Sequence, residues 1–252
     1  DPYRWLEEGD SEEVQTWIQS QNERSNRYIQ SLPHRQPLYD RLEQLWRYDD
    51  ESAATSCLLD TTREIVWRKK ADDEHWSVFL KEFRNGAITE RSIVDPNTWE
   101  ISAALNSFTP SPDCRFAVFG KTIEHSGEIL VQIMSLDTLN ILPDTLAGRG
   151  QSNVAWRHDN SGFYFSAWPS VNEVPDDELD YHHTGYYHQL GTDKEQDVVV
   201  IQDEEIKEHY HGAYLDETGR FLFTVRRSFN ASQVWMESID PKVQLERTLL
   251  TP

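Results

Sequence analysis

Apolar positions recur at two different periods along the chain, and the change falls near residue 50. In the first fifty residues Val14, Trp17, Ile18, Tyr28, Ile29 and Leu32 fall mostly on one face at helical spacing, and Pro33 ends the run. Asp10 followed by Glu13 has the spacing of a capping box, in which each side chain satisfies a backbone N–H left open at a helix start. Leu38, Leu42, Leu45 and Trp46 make the buried stripe of a second helix, with Pro37 suited to its first position. From about Ala53 the apolar residues come in short runs separated by polar turns, which is the pattern of strands. The runs predict strands over 64–69, 76–83, 115–121, 129–135, 162–167, 186–190, 198–202, 220–225 and 233–238.

Three of these strands open alike. Pro112-Asp113-Cys114-Arg115-Phe116, Asp159-Asn160-Ser161-Gly162-Phe163 and Asp216-Glu217-Thr218-Gly219-Arg220-Phe221 each lead a polar turn into an aromatic strand. The intervals between the phenylalanines, 47 and 58 residues, lie near the length of a four-stranded propeller blade. The excess in the second interval is accounted for by a surface loop over 169–183. The expected fold is therefore mainly β, an incomplete propeller of four-stranded antiparallel blades preceded by an α-helical segment. Its domains are a helical arm over 1–50 and a partial propeller of about three and a half blades over 51–252.

Composition narrows the partners. Twenty-four Lys and Arg against 44 Asp and Glu give a net charge of −20, which repels phosphate backbones and anionic headgroups. Nucleic acid and membrane surfaces are excluded as partners on this ground, and the longest aliphatic run, Val198 to Ile201, is far too short to cross a bilayer. The mean hydropathy of −0.71 implies a thin core built from nine Trp, ten Tyr and ten Phe. Cys57 and Cys114 form no metal motif and are expected as free thiols. A cytoplasmic location follows as the expectation, with the periplasm as the alternative if a signal peptide lies upstream of residue 1.

Several short segments then add up to a resemblance. The opening Asp1-Pro2-Tyr3-Arg4-Trp5-Leu6-Glu7-Glu8, with Asp10-Ser11-Glu12-Glu13-Val14, Trp17 and Gln21-Asn22, resembles the start of the prolyl oligopeptidase family of serine peptidases. Asp95-Pro96-Asn97, Leu142-Pro143-Asp144, Ala155-Trp156-Arg157-His158-Asp159 with Gly162-Phe163-Tyr164, and Tyr187-His188-Gln189-Leu190-Gly191-Thr192-Asp193 with Asp197 keep the family's order. The resemblance implies helices that pack on an α/β-hydrolase domain, then the first half of a seven-bladed propeller. The Ser, Asp and His of the catalytic domain belong to the part of the family pattern that follows. Two departures stand out: Asp73-Glu74-His75-Trp76 replaces a Gly-Gln-Asn stretch, implying a distorted first blade, and Asp113-Cys114 replaces an Asp-Gly turn. At the position where some relatives carry a substrate-facing propeller aromatic this chain has Gln151, the one substrate-contact residue the resemblance implies.

No catalytic residue is found in the 252 residues. A nucleophile elbow needs G-x-S-x-G, and no such pentapeptide occurs. His125-Ser126 is read as an ordinary turn. His182, His183, His188, His209 and His211 are the only imidazole cluster and are expected as exposed loop and strand-end residues with no metal. Asp176 to Asp180 reads as a solvated acidic loop, and Asn230-Ala231-Ser232 matches a glycosylation acceptor. No cofactor is called for. The resemblance implies the propeller-containing part of an endopeptidase that cleaves short peptides after proline, its partners being a C-terminal hydrolase domain and a short peptide substrate. Cleavage after Lys or Arg, as in oligopeptidase B, and a stand-alone non-catalytic binding module are the alternatives.

Overall fold

Antiparallel pairing joins all the strands of the computed structural model, which describes residues 1–99, 103–123 and 129–251. The chain divides into two compact units: residues 1–49 with 70–72, and residues 50–69 with 73–252.

The first unit carries two helices. α1 (Glu12–Ser31) is capped by Ser11, whose hydroxyl accepts from the Val14 N–H at 3.3 Å, so the cap lies one residue later than the Asp10 pattern predicts. α2 (Arg35–Trp46) begins two residues before Pro37, which sits in the third helical position, still within the first turn where N–H groups lack intrahelical acceptors. The apolar stripes are present, yet Val14 alone is buried on these helices. Trp17, Ile18, Tyr28, Ile29, Leu38, Leu42, Leu45 and Trp46 are all exposed, so the buried stripe expected on α2 is not buried in this chain.

The second unit holds four consecutive sheets. The first combines β1 (Asp50–Glu51), β2 (Thr55–Ser56), β3 (Arg63–Lys69), β4 (Ser77–Arg84) and β5 (Ala87–Val94). β1 and β2 are two halves of one broken edge strand, both paired to β3. Beside the departure at residues 73–76, β3 and β4 pair over six positions without a shift, whereas β4 and β5 shift register between Val78 and Phe79. Asn97 fixes the loop itself, its amide bracketing the His75 backbone at 2.9 and 3.0 Å. The second sheet is β6 (Ala103–Pro110), β7 (Phe116–Ile123) and β8 (Ile129–Ser135), extended by a bridge between Met134 and Ile141. The third is β9 (Arg149–Trp156), β10 (Gly162–Trp168), β11 (Thr184–Gln189) and β12 (Val198–Ile201), and the fourth is β13 (Tyr210–Leu215), β14 (Phe221–Arg227), β15 (Ser232–Ser238) and β16 (Thr248–Thr251).

Strand alternation makes each inner sheet apolar on both faces. Ala117 and Phe119 of β7 join Ile65, Val78 and Leu80 of the first sheet, whereas Val118 packs with Trp156, Phe163 and Phe165 of the third. One residue along from Phe163, Tyr164 turns the other way, into Ala213 and Leu222 of the fourth sheet. Successive side chains of a strand point to opposite faces, so a sheet held between two neighbours needs an unbroken apolar run such as Phe163-Tyr164-Phe165.

The turn repeat has a physical basis. The turn that follows the first edge strand of every sheet starts with an aspartate whose carboxylate accepts backbone N–H groups: Asp60 from Thr62, Asp113 from Arg115, Asp159 from Ser161 and Asp216 from Thr218, Arg220 and Phe221. Three of the four turns carry a left-handed residue, and Asn160 (φ 55°) and Gly219 (φ 66°) supply it in the last two. A Cβ on Gly219 would meet the His158 ring at 2.5 Å. In the second sheet Cys114 takes this conformation at φ 52°. Its sulfur is not free, because Cys57 and Cys114 form a disulfide with Cα atoms 5.8 Å apart. The expected free thiols are thus corrected. The spacing of 57 residues concealed the contact, which exists because the end of the first sheet's edge strand lies against the entry turn of the second.

Candidate functional site

His188 sits at the centre of the third sheet with no exposed surface. Its Nδ1 lies 2.7 Å from Asp197 and its Nε2 3.1 Å from Asp144, both carboxylates being almost fully buried. Asp144 also accepts from the Gly191 N–H at 2.5 Å, and Asp197 from the Ala147 N–H at 2.8 Å. The network ties the segment that enters β9 to the β11–β12 hairpin. Burial works against the imidazolium, but the hydrogen bonds to Asp197 and Asp144 outweigh it and hold the His188 pKa above its ordinary value. A histidine flanked by two aspartates has the composition of acid–base machinery, yet here it is walled in by Phe163, whose ring centroid lies 5.2 Å away. It is a buried brace.

A second imidazole pair joins the third and fourth sheets. The His211 backbone N–H donates to His183 Nδ1 at 2.9 Å, and His211 Nδ1 donates in return to the His183 carbonyl. Both rings are buried, Nε2 of His211 has no partner among the described residues, and Trp168 and Tyr210 pack on His183. Burial, reinforced by the neighbouring His211, pushes the His183 pKa down to about 4, and burial also lowers that of His211. The expectation of exposed histidines is therefore corrected for His183, His188 and His211. His209 donates to the buried Asp203, which Arg226 also holds at 2.6 Å, and His182 pairs with Glu178 at 3.0 Å. No group of three or more His, Cys, Asp or Glu among the described residues is arranged to hold a metal ion.

Around the His183 pair opens a cleft of about 330 Å³, lined by Ser152, Asn153, Trp168, Tyr210, Tyr214 and Arg227. It lies where the edge strands β9 and β13 run beside one another. Gln151 belongs to the same stretch of β9 and is half-buried, but its amide donates to the Ala147 and Gly148 carbonyls at 3.1 and 2.7 Å. It braces the chain ahead of β9. The acidic loop is anchored rather than merely solvated. Asp180 pairs with Arg149 at 2.7 Å and receives the Trp168 indole N–H on its carbonyl, while Glu178 binds Lys207 at 2.7 Å. His125 and Ser126 lie outside the described residues.

A family model for the prolyl oligopeptidase N-terminal β-propeller domain matches residues 1–251. The chain belongs to this family. It is 25% identical over 247 residues to the prolyl endopeptidase of Elizabethkingia meningoseptica, covering 96% of this chain and 34% of that protein. To prolyl oligopeptidase A of Amanita bisporigera it is 24% identical, covering 95% of this chain and 35% of the other. Among solved structures, one from a study of two prolyl endopeptidases and inter-domain dynamics superposes with a TM-score of 0.83 over 100% of this chain and 36% of that one, at 24% identity. Prolyl oligopeptidase B from Galerina marginata, bound to a 35-residue substrate, gives 0.83 over 99% of this chain and 37% of its own length, at 22% identity. The chain thus spans about a third of the length of the relatives it matches, the propeller part.

The family frame gives the signature residues their structural meaning. Asp144, His188, Gly191 and Asp197, which carry the resemblance in sequence, all meet in the single buried brace. The His183–His211 pair and the disulfide escape sequence reasoning. A signal for the pair did exist: the H-x-H at 209–211, which begins 26 residues after His183, though nothing in the spacing says that His183 and His211 bond to each other.

Proposed function

We propose that this chain is the propeller-bearing N-terminal part of a serine endopeptidase that hydrolyses short peptides after proline. The observation that carries the reading is the match of all four sheets and both helices, in order, to the N-terminal third of prolyl endopeptidases. In this reading nucleophile, base and acid come from a C-terminal hydrolase domain, and the propeller restricts entry to small substrates. The exposed apolar faces of α1 and α2 are the docking surface for that domain. An aromatic side chain offers about 150–250 Å² at roughly 25 cal/mol per Å², so covering Trp17, Tyr28 and Trp46 alone contributes several kcal/mol. Gln151, close to the cleft between β9 and β13, is the residue proposed to face the peptide.

The full-length protein is expected to cleave a fluorogenic Gly-Pro substrate faster than an Arg substrate, with sensitivity to a serine-directed phosphonate. A preference for Arg would move the assignment to the oligopeptidase B branch. The 252-residue chain alone should turn over neither. The Cys57–Cys114 bridge further supports folding in an oxidising compartment such as the periplasm, rather than the cytoplasm. Thiol titration of the denatured, unreduced protein should find no free thiol, and two titratable thiols would return the location to the cytoplasm.

A further inference from the structure

In a chain of net charge −20, four arginines converge on one cleft of about 490 Å³ between the first and second sheets, lined by Arg63, Arg84, Arg91 and Arg115 with Glu82 and Asp137. We infer that this cleft binds a phosphate-type oxyanion, either free phosphate or the phosphoryl group of a larger molecule.

The partners of each guanidinium show why. Arg63 is 8% exposed and consumes most of the local carboxylate, lying 2.6 Å from Asp137 Oδ1, 3.1 Å from Glu82 Oε1 and 3.7 Å from Asp60, with its remaining donor on the Cys114 carbonyl at 2.9 Å. Arg84 on the rim shares the same Glu82 oxygen at 2.9 Å, and Arg115 takes the second Asp137 oxygen at 3.3 Å. That leaves Arg91. Its two terminal nitrogens donate to main-chain carbonyls, of Asp137 at 3.2 Å and of Leu136, and among the described residues it meets no carboxylate. Its Nε–H is buried with no acceptor among the described residues. A buried charged donor without a partner is costly, and a guanidinium is matched in geometry by two oxygens of an oxyanion.

The cleft is prebuilt. Arg63 and Arg91 are held on strands β3 and β5, Arg115 opens β7, and the Cys57–Cys114 bridge fixes the two sheets next to it. It lies at the end of the sheets where the aspartate turns lie. The rim arginines, Arg84 and Arg115, have more than half of their side-chain surface exposed, so each has donors left for a ligand. Two rim guanidiniums with exposed donors, and Arg91, which meets no carboxylate among the described residues, favour a dianion over a monocarboxylate.

The test is calorimetric titration of the full-length protein with inorganic phosphate, phenyl phosphate and acetate at one low ionic strength. Saturable binding of phosphate or phenyl phosphate is expected. Tighter phosphate assigns the site to the free ion, and tighter phenyl phosphate assigns it to a phosphoryl group. Arg91→Gln should weaken binding about tenfold or more, the loss of one charge-assisted hydrogen bond. Arg84→Gln, at an exposed position that the fold does not need, should weaken it by a smaller factor. Absence of saturable binding, binding of acetate as tight as phosphate, or affinity unchanged in both variants would each overturn the proposal.

Discussion

Two buried histidine sites lie in neighbouring parts of the propeller and solve the same problem in opposite ways. His188 favours its charged form by taking one carboxylate on each ring nitrogen. His183 and His211 favour the neutral form, each ring bonding to the other residue's backbone with no hydrogen bond to a carboxylate among the described residues. Removing an ion from water costs several kcal/mol, and the interior tolerates it only when paired counter-charges and hydrogen bonds compensate. Where two aspartates are at hand the charged form is favoured. Where none is, the imidazole is neutral.

The same sites show what could be read from the sequence. Asp144, His188, Gly191 and Asp197 were legible only as carriers of the family resemblance, and their meeting in one buried network was not, since His188 was expected to be exposed. The aspartate turns and aromatic strands were legible directly: the chemistry of the turn fixes Asp, then a left-handed residue, then Phe. Strands whose burial is irregular, such as β5, β9 and β13, passed unnoticed, since Thr89 to Arg91 and Gly150 to Asn153 are polar runs that show no alternation. Contacts across sheets left no trace in local periodicity, which is why Cys57 with Cys114, and His183 with His211, emerged only in three dimensions. Gln151, taken from family position rather than chemistry, also braces the chain ahead of β9, a role that the position alone did not suggest.

The comparison can be broken by mutation, and the largest effect is expected at the charged site. His188→Leu leaves Asp144 and Asp197 buried together without their cation, and should lower unfolding stability in urea by about 3–5 kcal/mol at neutral pH. A loss below about 1 kcal/mol would mean that the carboxylates find water or protons readily, and the site would then be no more demanding than the neutral pair.

Acid titration sharpens the difference through its sign. The His183 and His211 pKa values are depressed in the fold, so the unfolded chain binds more protons below the ordinary histidine value of about 6.5. Their contribution is present above that pH and drains away as pH falls toward the folded value, about 4 for His183. The expected loss over this window is about 3 kcal/mol. His188 is raised, so its contribution is complete below about 6.5 and is lost as pH climbs through its folded value. Urea midpoints followed from pH 4 to pH 9 should therefore show an acid slope that flattens in His183→Gln and an alkaline slope that flattens in His188→Leu. The same slope flattening in both variants would show that the two sites are not independent.

At the neutral site itself the effect is smaller. His183→Leu removes the acceptor for the His211 N–H while preserving apolar volume beside Trp168, and should cost about 1–3 kcal/mol near pH 7, the price of one buried unpaired donor. Amide exchange at the β13 end of the fourth sheet should quicken with it, because that bond crosses between sheets. Unchanged protection there would show that the pair does not hold the two sheets together.

The smallest change tests Gln151, which lies on β9 beside the cleft at the neutral pair and is tied to the charged site through Ala147. Its amide donates to the Ala147 carbonyl, and the Ala147 N–H donates to Asp197, one of the two carboxylates on His188. Gln151→Ala deletes two neutral hydrogen bonds at a half-buried position, so stability should drop by only about 0.5–1.5 kcal/mol. If Gln151 acts purely as a brace, KM for a Gly-Pro peptide in the full-length protein stays at the wild-type value once the loop is formed, and the loss is confined to stability. If it faces the peptide, KM rises at unchanged kcat even where the fold is intact, since binding common to ground and transition states has been removed. Gln151→Glu separates the two further: a carboxylate cannot donate to the Ala147 and Gly148 carbonyls and would be repelled by them, so a brace predicts a larger stability loss than for alanine. A contact with the peptide alone predicts no such excess.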